Sequence, residues 1–305
     1  MNGRFKLWLA EIRAPFFTAT IVPISLGAVV AWARGEPFHW GWFLLTLLGG
    51  LLMHAGANMI NDYMDHLRGT DAVNVEFVRP FTGGSRMIQE GLLTPKAILS
   101  ASGLCFVLGS LVGLYLASVR GWVILLFGAI GLFSALFYVT PGFSLSAIGL
   151  GELFIGLNFG VLMTLGAHVV QTGRLSWEPV VASLPVALLI AAVLYINEFQ
   201  DAAADAAVGR THLVVRLGKR LAAQGYAALM FTVYLTLVLG VLLDGVTPWA
   251  LLGLLTAPLA FKATQVALAH YDDSRQLVPA NAGTIQVHLL TGLLMTVGYL
   301  LQGLL

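Results

Sequence analysis

Nine runs of mostly apolar residues, each about 17 to 25 residues long, divide this chain, and no other feature narrows its possible folds so far. They lie near 14–33, 41–60, 97–117, 121–139, 147–168, 179–199, 221–243, 248–268 and 283–303. A run of this length meets its own backbone hydrogen bonds as a helix while presenting apolar side chains to hydrocarbon, which irregular backbone cannot do. The expectation is an all-α polytopic membrane protein with about nine transmembrane helices. Composition agrees, because 58% of the 305 residues are hydrophobic and only 10% are charged, against about 25% charged in soluble domains. Ala31-Trp32-Ala33 resembles a signal-peptidase site, but the run before it is long for a signal peptide and eight more follow, so it reads as the first span.

Lys and Arg set the orientation. With the N-terminus inside, the inner segments hold Arg4, Lys6, Arg13, Arg68, Arg79, Arg86, Lys96, Arg210, Arg216, Lys219, Arg220 and Arg275, and the outer loops only Arg34, Arg120 and Arg174. This bias predicts a multi-pass protein of the plasma (inner) membrane, its N-terminus cytoplasmic and its C-terminus outside. A net charge of +1 gives no argument for a nucleic-acid partner. Cys105 is the sole cysteine, so no intrachain disulfide forms and no thiol chemistry is suggested.

Two polar stretches interrupt this apolar chain. At the end of the second run, Asn58, Asp62 and Asp65 stand at i, i+4 and i+7 on one helix face, flanked by Asn61. At the end of the sixth, Asn197, Asp201 and Asp205 stand at i, i+4 and i+8, with Glu198 beside them. An even number of helices separates the two, so both faces open on the cytoplasmic side. The arrangement suggests one integral-membrane domain over 1–305 made of two related parallel halves, roughly 1–140 and 141–305, although no residue-level repeat is visible outside the motifs. Of fifteen acidic residues, eight follow helices two and six. Like charges at helical spacing repel, so a cation site explains the crowding better than solvated helix ends do. Two such faces at one depth suit Mg²⁺ bridging to a diphosphate, because Mg²⁺ takes one or two carboxylates plus substrate oxygens. The basic loops that follow, about 63–96 and 200–220, suit its anionic oxygens.

Other polar residues are less decisive. Glu152 reads either as an interfacial residue near the start of helix five or as a functional group within it. Asn158, about two turns further on, could face the same cavity. His54, one turn before Asn58, reads as a hydrogen-bonded packing histidine. Gly83-Gly84-Ser85-Arg86 is a turn able to offer N–H groups and a guanidinium to phosphate. The 34 glycines fall mostly within helices, where small residues permit close packing in lipid.

Asn61-Asp62-x-x-Asp65-x-x-x-Gly69-Thr70-Asp71, followed by Gly83-Gly84-Ser85-Arg86-x-Ile88-x-x-Gly91, resembles the UbiA superfamily of intramembrane aromatic prenyltransferases. Asn197-x-x-x-Asp201-x-x-x-Asp205-x-x-x-Gly209-Arg210, with Leu213-x-Val215-Arg216-Leu217-Gly218, is similar to that family's second signature. Arg13-Ala14-Pro15 and Tyr138-x-x-Pro141 fit as well. The Gly-Thr-Asp ending looks more like the menaquinone branch, the 1,4-dihydroxy-2-naphthoate prenyltransferases, than the 4-hydroxybenzoate branch, which places Asp where Gly69 stands. Glu198, where Asp or Asn is usual, and His212, where Thr is usual, depart from the pattern.

The resemblance implies helices around a central cavity capped on the cytoplasmic side, and transfer of a polyprenyl group from its diphosphate to an aromatic quinone precursor. It implies Mg²⁺ on Asn58, Asn61, Asp62, Asp65, Asn197, Asp201 and Asp205, with Asp62, Asp65, Asp201 and Asp205 catalytic. Arg86, Arg13, Arg68, Arg210 and Lys219 are its candidates for the diphosphate. Tyr138, Tyr195, Glu152 and Asn158 are candidates for the acceptor or for steadying an allylic cation. For dihydroxynaphthoate it implies loss of the ring carboxylate. Another acceptor such as 4-hydroxybenzoate is the alternative within the class; a secondary transporter is the alternative outside it, although transporters usually place polar groups at broken helices near the midplane.

Overall fold

The computed structural model describes residues 3–140 and 142–305, which leaves Pro141 of the Tyr138-x-x-Pro141 element outside the described residues. Among the described residues every regular element is helical. A short amphipathic α1 (Gly3–Glu11) leads into a 3-10 turn (Ala14–Phe17) and α2 (Thr18–Ala33). Then come α3 (Trp40–Arg68), the single turn α4 (Thr70–Val73), α5 (Pro95–Arg120), α6 (Val123–Phe137) and α7 (Gly151–Thr172). The second part holds α8 (Glu178–Ala207), the short α9 (Leu213–Leu217), α10 (Lys219–Leu242), α11 (Pro248–His270) and α12 (Val278–Leu304).

Eight of these helices, α2 counted with its leading turn, are long and apolar enough to cross a membrane. The ninth expected span is present as α6, but it has only 15 residues, about 22 Å of helix against a hydrocarbon thickness of about 30 Å. The two motif-bearing helices run further than their apolar stretches. α3 continues through its acidic turns to Arg68 and α8 to Ala207, so the loops expected from 63 and 200 begin later. Gly69 ends α3 in the left-handed conformation at φ 80°, its N–H donating to the carbonyls of Asp65 and His66; glycine adopts this φ without a Cβ penalty. α5 starts where Thr94 accepts from the Ala97 N–H at 3.2 Å, with Pro95 in the first turn.

Burial ranks the helices. In α8, 67% of the apolar window is buried, against 22% in α5, which makes α8 the central post and α5 an outer wall. On one side α8 packs with α10 and α12 through Ile196, Phe199, Tyr226 and Leu277. On the other side α2, α3, α5, α6 and α7 stand around an opening. α7 lies against both α2 and α8 at van der Waals limits: a Cβ on Gly27 would stand 2.0 Å from the Thr164 carbonyl oxygen, and one on Gly160 would stand 2.3 Å from Ala187. Without a hydrophobic driving force in lipid, such small-residue contacts supply the packing.

The two ends of the bundle differ. Trp40, Trp122 and Trp177 stand exposed where α3, α6 and α8 begin, as aromatic belts do at a membrane interface. Ion pairs Arg34–Glu178 and Arg174–Glu36 tie that end. The motif carboxylates lie at the opposite end.

Candidate functional site

The last turns of α3 and α8 meet across one cavity of about 600 Å³. Asn58, Asn61 and Asp65 line it from α3, and Asn197, Glu198, Asp201 and Asp205 from α8. Six of the seven expected metal ligands are thus brought together. The seventh, Asp62, is not in the wall: it is ion-paired to Arg13, and its Oδ2 accepts from the Ser85 N–H at 3.0 Å. Gly84 at φ 68° makes this possible, since a Cβ there would sit 2.9 Å from Asp62 Oδ1. The Gly83-Gly84-Ser85 turn therefore folds over a carboxylate, with Gly84 at the cavity wall.

The cations separate into two groups. Arg13 and Arg210 line the cavity. Arg210 joins the two motifs, with Nη1 3.5 Å from Asp65 Oδ1 and 3.3 Å from Asp205 Oδ1, while its Nε donates to Ser146 Oγ at 2.9 Å. Burial works against its charge, but Asp65 and Asp205 hold it protonated above the ordinary guanidinium range. Arg13 is held the same way, against burial, chiefly by Asp62, and takes a left-handed φ of 52° to reach it. The other three expected diphosphate residues do not line the cavity. Arg86 lies over the Phe77 ring at 4.1 Å and donates to the Asn74 carbonyl at 3.5 Å. Arg68, at the last residue of α3, donates to the Thr140 carbonyl at 3.4 Å. Lys219 opens α10 outside the cavity, because the α9 turn intervenes.

Of the acceptor-side candidates, Tyr138 and Asn158 line the cavity. Tyr195 does not: its ring packs edge-on to Phe199 in the core, and its hydroxyl points at Gly225 of α10. Glu152 does not line it either; it is buried behind the wall, where its carboxylate accepts from the Leu213 N–H at 3.2 Å. His54 is the packing histidine expected, bonded to Thr20 at 2.8 Å, and it also lines the cavity.

Several residues escaped sequence reasoning. Asn74 donates to Asp201 Oδ1 at 2.7 Å, carrying the loop after α4 onto the second motif. Asn281 of α12 donates to Asn197 Oδ1 at 2.7 Å from behind. His212, visible in the sequence only as a departure, is buried between Glu198 Oε2 at 3.4 Å and Asp205 Oδ2 at 3.2 Å. Glu11 is fully buried and accepts from the Ser85 hydroxyl. Burial, then the charge of Asp62, pushes its carboxyl up to about 7. Asp71, bonded by Gln89 at 2.6 Å, is likewise pushed up to about 7 by burial and by Asp65 and Asp62. For Glu11 the signal in the sequence was a lone acid two residues before Arg13, and Asp71 stood in the Gly69-Thr70-Asp71 ending without an assigned partner.

The donor set fits a hard divalent cation. Asn61 Oδ1 is buried and accepts no hydrogen bond, a costly state for an oxygen that no ligand satisfies, and Asp65 Oδ1, also without a hydrogen bond, has only the Arg210 guanidinium at 3.5 Å. Among the described residues no three His, Cys, Asp or Glu side chains already converge into a cage, and Mg²⁺ does not need one when substrate oxygens complete its shell. Beyond this polar end the lining turns apolar, with Met53, Val112, Phe127, Phe159 and Leu162. The wall on α3 reaches back from Asp65 to Thr46, roughly 28 Å at helical rise, nearly the hydrocarbon thickness. A chamber of this form can hold an anionic head with a cation at one end and a long apolar chain in the remainder.

Residues 20–295 match the UbiA prenyltransferase family. The chain is 30% identical to the 2-carboxy-1,4-naphthoquinone phytyltransferase of Synechocystis sp., covering 98% of this chain and 94% of that one. It is 31% identical to the 1,4-dihydroxy-2-naphthoate octaprenyltransferase of Mycobacterium tuberculosis, covering 85% of each. Among solved structures, a UbiA homolog from Archaeoglobus fulgidus bound to DMAPP and Mg2+ superposes with a TM-score of 0.66 at 14% identity, covering 98% of this chain and 99% of that one.

Proposed function

The chain belongs to the UbiA prenyltransferase family, and on that premise we propose that it transfers a polyprenyl group from polyprenyl diphosphate to 1,4-dihydroxy-2-naphthoate, with loss of the ring carboxylate. The observation that carries this reading is a single cavity with oxygen ligands and two guanidinium groups at one end and an apolar lining over the rest. The names of the relatives support the naphthoate acceptor. The Gly69-Thr70-Asp71 ending agrees with them.

In this reading Asn61, Asp65, Asn197 and Asp201 hold Mg²⁺, and Arg13 and Arg210 hold the remaining diphosphate oxygens. Bound Mg²⁺ supplies positive charge to the departing diphosphate. Arg13 and Arg210 add to it from fixed positions, which is electrostatic stabilisation aimed at the leaving group. Asp62 aims Arg13, and Asp205 aims Arg210. The donor chain lies along Met53, Val112 and Phe127, and the dry wall keeps water from the allylic carbon. The Tyr138 ring at the polar end faces the developing positive charge. When the new C–C bond forms at the ring carbon that bears the carboxylate, the carboxylate leaves as carbon dioxide and its bonding electrons restore the aromatic ring. No external oxidant is required. The carboxylate end faces the cytoplasm of the plasma (inner) membrane, as the Lys and Arg bias indicates, and the two acidic helix ends belong to two related halves of one domain.

The test is a membrane assay with dihydroxynaphthoate and a labelled prenyl diphosphate, with Mg²⁺ and with EDTA. The expected result is prenylated product and carbon dioxide only with Mg²⁺. Product with 4-hydroxybenzoate but not with the naphthoate would overturn the acceptor assignment, and equal turnover in EDTA the metal.

A further inference from the structure

We propose that Asn158 Oδ1 accepts a hydrogen bond from a ring hydroxyl of the aromatic co-substrate and so selects hydroxylated rings over ketone or ether forms; this rests on the prenyl-transfer reading above. Asn158 sits in a π-helical segment of α7, Gly156–Leu162, a local widening that often marks functional positions. Its Nδ2 donates to the Phe154 carbonyl at 2.7 Å. That bond fixes which end of the amide is which, because the reversed amide would set two acceptors against each other. Oδ1 is therefore the free end, and it is buried without a partner.

Space lies beside this oxygen. Gly131 of α6 and Asn158 both line the cavity. The position a Cβ would take on Gly131 has one heavy atom within 4 Å, and that atom is Asn158 Oδ1 at 3.7 Å. α6 thus leaves a gap about the size of a methyl group against an unsatisfied acceptor. Neighbouring polar groups in this stretch are already engaged: His54 Nδ1 with Thr20, Asn58 Nδ2 with the Ile12 carbonyl and Ser134 with the Ile130 carbonyl.

The depth is right for a co-substrate. The Phe159 ring meets His54 at 4.5 Å, and His54 stands about two turns along α3 from Asn61, roughly 10 Å. A donor anchored by its diphosphate at Asn61 and Asp65 brings its allylic carbon into this stretch, next to Asn158. A phenolic or naphtholic hydroxyl has the hydrogen that Oδ1 lacks; a quinone carbonyl or an ether oxygen would set lone pair against lone pair. Sites built to hydrogen-bond a hydroxyl reject analogues without it more strongly than apolar pockets reject added groups.

The full-length protein in membranes tests this with labelled prenyl diphosphate and two acceptor sets, dihydroxynaphthoate and its two monomethyl ethers. With wild type, one ether is expected to raise the acceptor KM by about tenfold or more over the parent. Asn158→Leu is expected to raise the KM for the parent about tenfold and to erase the difference between parent and ether, leaving the KM for the prenyl diphosphate unchanged. Gly131→Ala, which keeps the amide and covers its oxygen, is expected to do the same. The proposal is overturned if wild type handles parent and both ethers alike, if both variants retain the wild-type discrimination, or if donor and acceptor KM rise together. A wild type inert with every acceptor would remove the prenyl-transfer reading itself, so the two failures are distinguishable.

Discussion

The two acidic helix ends look alike in sequence and are held differently in space. At the end of α3, Asn61 Oδ1 is buried with no hydrogen bond, and Asp65 Oδ1 has only Arg210 Nη1 at 3.5 Å. At the end of α8 most oxygens are engaged: Asn197 by Asn281, Asp201 by Asn74, Asp205 by Arg210 and His212, while Glu198 Oε2 accepts no hydrogen bond and has only His212 Nδ1 at 3.4 Å. Asp62 is the exception at the first end, fully taken by Arg13 and Ser85. Similar spacing therefore does not mean equal work. The first end is poised to receive a ligand, and the second is braced by protein groups that a ligand must share or displace.

Substitutions at matching positions should separate these roles. Asp65→Asn is expected to have the largest effect on turnover, about 10³-fold in kcat, with a smaller fall in melting temperature than Asp205→Ala, because the amide keeps a polar group beside Arg210 and relieves a crowded carboxylate. A steady-state assay beside a thermal-shift measurement in detergent checks both halves. Asp205→Ala should reverse the pattern. It leaves Arg210 and His212 buried with less compensation, which costs about 3–5 kcal/mol when a buried pair is broken, so the melting temperature should fall clearly and activity with it. If Asp65→Asn instead destabilised and Asp205→Ala did not, the comparison would be reversed.

Asn74→Ala probes the brace on Asp201 without touching either helix. An outer partner of this kind is worth about 10- to 100-fold in metal affinity or activity, so the Mg²⁺ concentration for half-maximal rate should rise while the acceptor KM stays put. A smaller effect is expected from pH. Glu11 and Asp71 titrate at about 7 in the folded protein, above their ordinary values, so their ionisation opposes folding. Their stabilising contribution is complete below the ordinary carboxylate range and is lost as pH rises through 7. In EDTA the protein should melt a few degrees higher at pH 5 than at pH 8, and Glu11→Gln should flatten that slope. Lys219→Ala should change turnover less than about twofold, as a surface substitution away from the site does.

Much of this was legible beforehand. Apolar length marked the spans, since hydrocarbon thickness dictates helix length whatever the neighbours are, and the spacing of Asn58, Asp62, Asp65, Asn197, Asp201 and Asp205 marked two polar faces. α6 was shorter than its run because Gly121 and the turn after Phe137 end it within an apolar stretch. A basic residue near a motif, such as Arg86 or Lys219, carries no record in the sequence of where its side chain points. Phe77 takes the first and α10 the second.

Periodicity and hydropathy are local properties, so the sequence by itself determined the helices, the class and the two clusters of oxygen ligands. Which of those ligands stay free was decided by residues far away along the chain: Ser85 on Asp62, Asn74 on Asp201, Asn281 on Asn197 and Gly131 beside Asn158. These pairings follow from how the helices pack and how the loops close, and a buried polar atom becomes either a brace or a binding site according to whether packing supplies it a partner.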